Sequence, residues 1–283
     1  MEGAVSEKDA VTLDLLLEKV YRDGGHDFRE YKRGILTRRL ERRLRAAGVK
    51  TYIEYMQFLD AHPEEYQRLT DCLTIAVSGF FRKPYAFQQV ARLVLPELVL
   101  YKRSQAERSL RVWSTACARG EEPYSIAILL AEYLKHDELD FDISIYATDI
   151  SRQALKEVGA GGYSTTEMEG IAVSLRDSYF ARHNGCYEVR TDIKQMVRFS
   201  YFDLTSTLPP IAELDIVFCC NILIYMQRQL QERVLGMLTN SLATPGYLIL
   251  GEVETPTNNL SEKLKCLDAR AKIYKKGGRS GHV

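Results

Sequence analysis

Trp113-Ser-Thr-Ala-Cys-Ala-Arg-Gly-Glu-Glu-Pro-Tyr-Ser125 is the stretch on which the fold reading turns. The apolar run 110–113 reads as a strand, and the apolar spacing of 122–134 reads as a helix, so the stretch is a strand-to-helix connection. The alternation repeats downstream: strand 143–148, helix 151–158, strand 214–219, helix 227–242, strand 247–251. Strands that alternate with helices build a parallel sheet, and ligands of such sheets bind at the carboxyl ends of the strands. The helix that follows offers unpaired backbone N–H groups and a partial positive charge, suited to a carboxylate or phosphate. With Gly120 as its one glycine, the loop is neither a G-x-G-x-x-G fingerprint nor a P-loop, so nucleotide hydrolysis and hydride transfer lose their support. On position alone, a plain strand-to-helix turn accounts for it equally well.

Two more strand ends reach the same edge. Asp149, in Ala147-Thr-Asp-Ile150, can accept hydrogen bonds from both hydroxyls of a ribose; equally, it can favour the dipole of the helix that follows. Asn221 to Tyr225 end a later strand in Cys-Cys-Asn-Ile-Leu-Ile-Tyr. Between 159 and 205 the alternation pauses, which implies an insertion; within it, 187–190 and 196–201 are expected to pair antiparallel as a small sheet. Upstream, 13–100 has helical spacing throughout. Thr51 and Glu54 form a capping box, Ile53, Met56 and Leu59 are expected to face a core, and Pro63 and Pro84 to open further helices. The expected division is a helical domain over 1–92 and an α/β domain over 93–283, the latter with an inserted β-subdomain at about 162–205 and a fraying tail over 275–283.

A chain of 283 residues, 46% hydrophobic and 27% charged, is neither disordered nor fibrous. Lys plus Arg and Asp plus Glu both number 38, so there is no bulk attraction to a polyanion. The longest nearly apolar stretch, 214–226, is 13 residues, too short to span a membrane. The acidic start lacks the apolar core of a secretory signal, which predicts a cytoplasmic protein. Six cysteines and five histidines lie without zinc spacing, so no metal is expected, and most of the cysteines should be small buried residues.

Ser78-Gly-Phe-Phe-Arg82, the Trp113 to Ser125 stretch, Ala147-Thr-Asp149 and Cys219-x-Asn-Ile-Leu-Ile-Tyr225 resemble, in order and spacing, the motifs of the chemotaxis receptor methyltransferases, the CheR family. The likeness runs from about Phe28 to Glu252, and Gly-Glu-Glu-Pro-Tyr-Ser is its most distinctive string. The resemblance implies a Rossmann-like methyltransferase fold with an all-helical N-terminal domain and a small inserted antiparallel sheet. It implies a protein-glutamate O-methyltransferase that uses S-adenosylmethionine, yields S-adenosylhomocysteine and esterifies glutamates on the cytoplasmic helices of a chemoreceptor. By the same likeness Ser78, Arg82, Glu122, Asp149, Asp203, Leu204, Cys220 and Asn221 fall on cofactor-contacting positions, with Asp149 taking the ribose, and Arg82 and Tyr225 fall at the methyl-transfer site. A glutamate is already a carboxylate at neutral pH, so the chemistry needs alignment rather than a general base. Arg82 also suits a domain-interface salt bridge, and Tyr225 a core tyrosine.

The segment 29–48 holds eight basic residues against two acids, a local charge of +6. Apolar residues at helical spacing let one face pack while the arginines occupy the others. In the resembling family this helix meets the acidic methylation helices, which gives Arg38, Arg39, Arg42, Arg43 and Arg45 a substrate-binding role; a solvated face is the plainer reading. The chain departs from the family pattern at Ala76 (usually Asn), Ser78 (Thr), Gly79 (Ser, Thr or Ala), Cys220 (Arg) and Cys117-Ala-Arg119 (Cys-Ser-Thr). These departures keep open a non-catalytic module that binds the cofactor or a partner. Nucleic-acid methylation is disfavoured, because Asn221-Ile-Leu-Ile-Tyr225 lacks the prolines of an Asn-Pro-Pro-Tyr motif. The short Asn184-Gly185-Cys186 connection predicts recognition without a receptor tether, and a monomer is expected.

Overall fold

In α1 (Glu7–Gly24), Leu13, Leu16, Leu17 and Val20 recur at threes and fours and are buried, the stripe that an amphipathic helix turns to a core. α2 (Arg33–Ala47) adds Leu36, Leu40 and Leu44, α3 (Tyr52–Ala61) Tyr55 and Leu59, and α4 (Glu65–Leu73) Leu69 and Leu73. The computed structural model describes residues 7–74, 77–135, 137, 140–158, 161–256, 260 and 262–277. Ala76 and the 278–283 part of the tail lie outside the described residues. The capping box opens α3: Glu54 N–H donates to Thr51 Oγ1 at 3.2 Å and Thr51 N–H to Glu54 Oε2 at 3.3 Å. Ile53, expected in the core, is 48% exposed. Tyr55 and Leu59 hold the buried stripe, and a residue two positions before Tyr55 points to the other side of a helix. Pro63 sits in the turn before α4 rather than inside its first turn.

These helices and Tyr225–Leu230 make one compact unit, Met1–Ile75 with Tyr225–Leu230; the other is Ala76–Ile224 with Gln231–Val283. α5 (Pro84–Gln89), a π-helical turn (Val90–Val94) and α6 (Leu95–Ser104) run continuously in the second unit. The domain boundary expected after residue 92 falls inside this run. Phe87, Val90, Val94 and Leu98 belong to the hydrophobic core that also holds Leu110, Val112, Phe218 and Ile249 of the sheet, so the run is buried with the strands.

The remaining elements are β1 (Ser109–Ser114), α7 (Glu121–Leu134), β2 (Asp142–Asp149), α8 (Arg152–Val158), β3 (Gly162–Ser164), α9 (Val173–Tyr179), β4 (Phe180–His183), β5 (Cys186–Val189), α10 (Thr191–Lys194), β6 (Val197–Tyr201), β7 (Leu214–Cys219), α11 (Arg228–Ser241), β8 (Leu242–Leu250), β9 (Leu264–Asp268) and β10 (Ile273–Lys276). The main sheet has the order β6-β2-β1-β7-β8-β10-β9; its first five strands are parallel neighbours and β10 runs antiparallel to both β8 and β9. Every residue of β7 is buried, as expected of a central strand covered on both faces. The strand order reverses at β1, the topological position at whose carboxyl edge ligands of open α/β sheets bind.

The antiparallel pair expected between 187–190 and 196–201 does not form. β6 joins the main sheet parallel to β2, with Ile145 opposite Val197 and Asp149 opposite Tyr201. The small sheet is β3-β5-β4. Its β4–β5 hairpin closes through Asn184 (φ 47°) and Gly185 (φ 81°), both left-handed, as a tight two-residue turn requires, and this local closure fixes β5 against β4. The cysteines are all free, but Cys117 and Cys219 alone are fully buried; Cys72 and Cys220 are half-buried, and Cys186 and Cys266 are exposed, contrary to expectation. Among the described residues no three His, Cys, Asp or Glu side chains are grouped for a metal, and no helix is long and apolar enough to cross a membrane.

Candidate functional site

The loop from β1 to α7 is latched to both neighbouring strands: Thr115 N–H donates to the Phe218 carbonyl at 3.0 Å and Cys117 N–H to the Thr148 carbonyl at 2.9 Å. Asp149, at the end of β2, accepts from Ala118 N–H through Oδ2 and from Ser151 N–H through Oδ1, each at 2.8 Å. Burial pushes the Asp149 carboxyl up, and these backbone donors oppose the shift. A carboxylate offers about four lone-pair sites, so Asp149 fixes the loop and still has acceptor capacity for ligand hydroxyls. Gly120 has φ 86°, and a Cβ there would stand 2.6 Å from Val158 Cγ1 and 3.1 Å from the Tyr163 hydroxyl, so the turn excludes any side chain. Tyr163 donates to the Arg119 carbonyl at 2.9 Å, and Arg119 pairs with Glu167; the inserted region therefore holds the loop from outside.

In the first turn of α7, Glu122 accepts from Ser114 Oγ at 2.7 Å. Burial raises its carboxyl to about 7, with Glu254 adding to the rise and Ser114, Cys220 and Lys83 opposing it. Burial also raises Glu121, whose Oε2 has no hydrogen-bond partner among the described residues. The Ser78 to Lys83 segment is stitched to this helix. Phe81 (φ 47°) donates its N–H to Ser125 Oγ at 2.9 Å, and Phe80 packs edge-on to Tyr163 and Phe180 with ring centroids 4.7 and 5.3 Å away. The Ser78 hydroxyl interacts with Glu121, and a Cβ on Gly79 would meet nothing within 4 Å. Arg82 is exposed, its Nη1 donating to the Val77 carbonyl at 2.8 Å.

At the end of β6, Asp203 Oδ1 accepts from Thr205 N–H at 2.8 Å and Leu204 is buried. At the end of β7, Asn221 is left-handed (φ 62°) and the half-buried Cys220 reaches the Ile249 carbonyl at 3.9 Å; burial drives its thiol well above the ordinary range. What shapes this turn is Glu254, a residue that the sequence reading missed. One of its oxygens accepts from Gly251 N–H at 2.6 Å and Asn221 N–H at 3.0 Å, the other from Leu223 N–H at 2.8 Å and Ile224 N–H at 3.3 Å. A Cβ on Gly251 would collide with that carboxylate and stand 2.8 Å from Asn221 N. The one available signal was an acid just past the last parallel strand, in Gly251-Glu-Val-Glu254. Glu122, Asp149, Asp203, Leu204, Cys220 and Asn221 thus come together on the carboxyl edge of one sheet, with Ser78 and Arg82 on the segment bonded to α7.

Tyr225 and the arginines belong to the other unit. The Tyr225 carbonyl accepts from Lys32 N–H at 2.8 Å, and Gln227 N–H donates to the Glu30 carbonyl at 2.8 Å, which knits this segment to the entrance of α2. Arg38, Arg42 and Arg45 are exposed and lie four and three residues apart, one stripe of the helix. Arg39 and Arg43 are committed elsewhere. Arg39 Nη1 caps the end of α4 through the carbonyls of Cys72, Leu73 and Thr74 at 2.8, 3.1 and 3.2 Å. Arg43 binds the buried Glu65 through Nε at 2.9 Å and Nη2 at 2.5 Å, and Tyr55 donates to the same carboxylate at 2.8 Å.

Two family descriptions match this chain: CheR methyltransferase, all-alpha domain, over residues 12–74, and CheR methyltransferase, SAM binding domain, over residues 76–273. The chain is 30% identical to a chemotaxis protein methyltransferase of Borreliella burgdorferi, covering 87% of this chain and 89% of that one. It is 34% identical to chemotaxis protein methyltransferase 2 of Pseudomonas aeruginosa, covering 84% of each. It is also 31% identical to an uncharacterized 104.1 kDa protein of Rhodobacter capsulatus; that match covers 94% of this chain and 27% of the larger protein.

Proposed function

Because the chain belongs to the CheR methyltransferase family, a family of S-adenosylmethionine-dependent methyltransferases of chemotaxis, we propose that it forms methyl esters on glutamate side chains of a chemoreceptor's cytoplasmic helices. The observation that carries the reading is the convergence of Glu122, Asp149, Asp203 and the Asn221 turn on one sheet edge. This donor set fits S-adenosylmethionine: Asp149 retains acceptor capacity for the ribose hydroxyls, and the carboxylates of Glu121 and Glu122 suit a ligand whose amino-acid end is an ammonium. Ser78, Asp203, Leu204, Cys220 and Asn221 complete the cradle. When bound, the cofactor supplies an electrophilic methyl group on a sulfonium.

The protein's own task is then alignment. The acceptor glutamate is ionised at neutral pH, so no residue has to remove a proton from it. Arg82, exposed and holding the Val77 carbonyl with one nitrogen, has further donors in its fork to orient an incoming carboxylate, and Tyr225 offers a hydroxyl for the methyl-transfer site. The exposed stripe Arg38, Arg42 and Arg45 suits an acidic receptor helix, with an association rate that falls as salt rises. The tight Asn184-Gly185 hairpin leaves little loop to grip a tether, in keeping with tether-independent recognition. A second reading, cofactor binding without transfer, draws on the neutral and half-buried Cys220.

Transfer of tritiated methyl from S-adenosylmethionine to a receptor cytoplasmic fragment separates these readings. Base-labile radioactivity on the fragment is the expected result. S-adenosylhomocysteine binding without any base-labile ester favours the module, and absence of binding sinks both.

A further inference from the structure

Lys83 introduces α5, on the segment that Phe81 and Ser125 bond to α7. One turn later, Phe87 stacks on Phe218 of β7 with ring centroids 5.9 Å apart, so residues on either side of Lys83 are held to α7 and to β7. The Lys83 ammonium is closed off from solvent and has no hydrogen-bond partner among the described residues. Its charge acts on Glu122 and on Cys220, which places it at the same sheet edge. An ammonium in such surroundings is costly unless an anion completes it.

Neither Glu122 nor Glu254 hydrogen-bonds this ammonium among the described residues. Glu122 holds Ser114, and Glu254 is taken up by the backbone N–H groups of the Asn221 turn and of Gly251. Cys220, whose thiol burial keeps protonated, contributes no charge. The cofactor of this family carries both charge signs at its amino-acid end: an ammonium, which suits the acids of α7, and a carboxylate, for which this sheet edge otherwise offers no buried cation among the residues described above.

We propose that Lys83 binds the carboxylate of the cofactor's amino-acid end, through a charge-assisted hydrogen bond from its buried ammonium beside Glu122 and Cys220. The assignment rests on the cofactor reading above, and the experiment distinguishes the two. Calorimetry would compare S-adenosylhomocysteine with 5′-methylthioadenosine, which keeps the adenosyl sulfide and lacks the amino-acid end, on the full chain and on Lys83→Met, Lys83→Gln and Lys83→Arg. A charge-assisted hydrogen bond predicts a loss of about 10- to 100-fold for S-adenosylhomocysteine in Lys83→Met, no change for methylthioadenosine, and recovery of most of the loss in Lys83→Arg. Lys83→Gln keeps the stem and a polar head, so it gives the same comparison should the methionine variant not fold. Unchanged S-adenosylhomocysteine affinity in these variants, or equal losses for both ligands, overturns the role of Lys83. A wild-type chain that binds neither ligand overturns the cofactor reading, and this role with it.

Discussion

Replacing Glu122 by Gln should uncouple cofactor affinity from pH. Burial raises this carboxyl from 4.5 to about 7, so about half of the free protein carries it ionised at neutral pH. A ligand ammonium beside it favours the ionised form, and binding below pH 7 must then release a proton. With a free-state value near 7, the ionised fraction is about a tenth at pH 6 and about nine tenths at pH 8. Wild-type affinity for S-adenosylhomocysteine should accordingly rise about tenfold between those two values and flatten above them. Titration calorimetry in buffers of different ionisation enthalpy reads both the affinity and the proton count. In Glu122→Gln the profile should be flat, with affinity lower than wild type at pH 8. A wild-type change under about twofold refutes the reasoning. So does a glutamine variant that keeps the slope, since the proton would then belong to another group, such as Asp149, whose carboxyl is also raised. Stability gives an independent check of sign. A carboxyl raised in the folded state strengthens the fold below its unfolded value, near 4.5, and that contribution is lost as pH climbs through about 7. Glu122→Gln should therefore gain on wild type above pH 7, by about 3 kcal/mol at full burial and about 1–2 kcal/mol for this half-buried side chain.

Glu254→Ala would strand the four backbone N–H groups that its carboxylate satisfies; urea unfolding should show a loss of at least about 3 kcal/mol, with Glu254→Gln intermediate because its amide oxygen still accepts. On α2 the arginines should divide by role: Arg43→Ala should cost about 3 kcal/mol by leaving the buried Glu65 to the Tyr55 hydroxyl and to Arg68 at 3.8 Å, whereas Arg38→Glu with Arg42→Glu should leave stability within about 0.5 kcal/mol and slow association with an acidic receptor helix, as stopped-flow mixing at low salt would detect.

Most of the second unit was legible because its signals are local. β7 was expected over 214–219 and spans Leu214–Cys219, since a buried central strand is an uninterrupted apolar run between polar turns. The Thr51 capping box, the Gly120 turn and Asp149 at a strand end are likewise properties of short sequence spans. The misplaced elements depended on a partner distant in sequence. β6 looked free to pair with β5 but joined β2, across about fifty residues, and the run from Pro84 to Ser104 has helical spacing whether it packs on other helices or on strands.

The same distinction runs through the functional residues. The sequence by itself determined the parallel-sheet class of the second unit, because backbone turns and apolar periodicity are encoded residue by residue; the methyltransferase reading came from the likeness of its motifs to those of a family. The sequence could also count the arginines of α2 and sum their charge. Only the tertiary structure decided that Arg39 and Arg43 use that charge inside the first unit while Arg38, Arg42 and Arg45 keep theirs exposed, that Glu254 builds the Asn221 turn, and that the buried Lys83 ammonium has no hydrogen-bond partner among the described residues. A charge acquires its role from desolvation and from the groups within a few ångströms of it, and those neighbours exist only once the chain has folded.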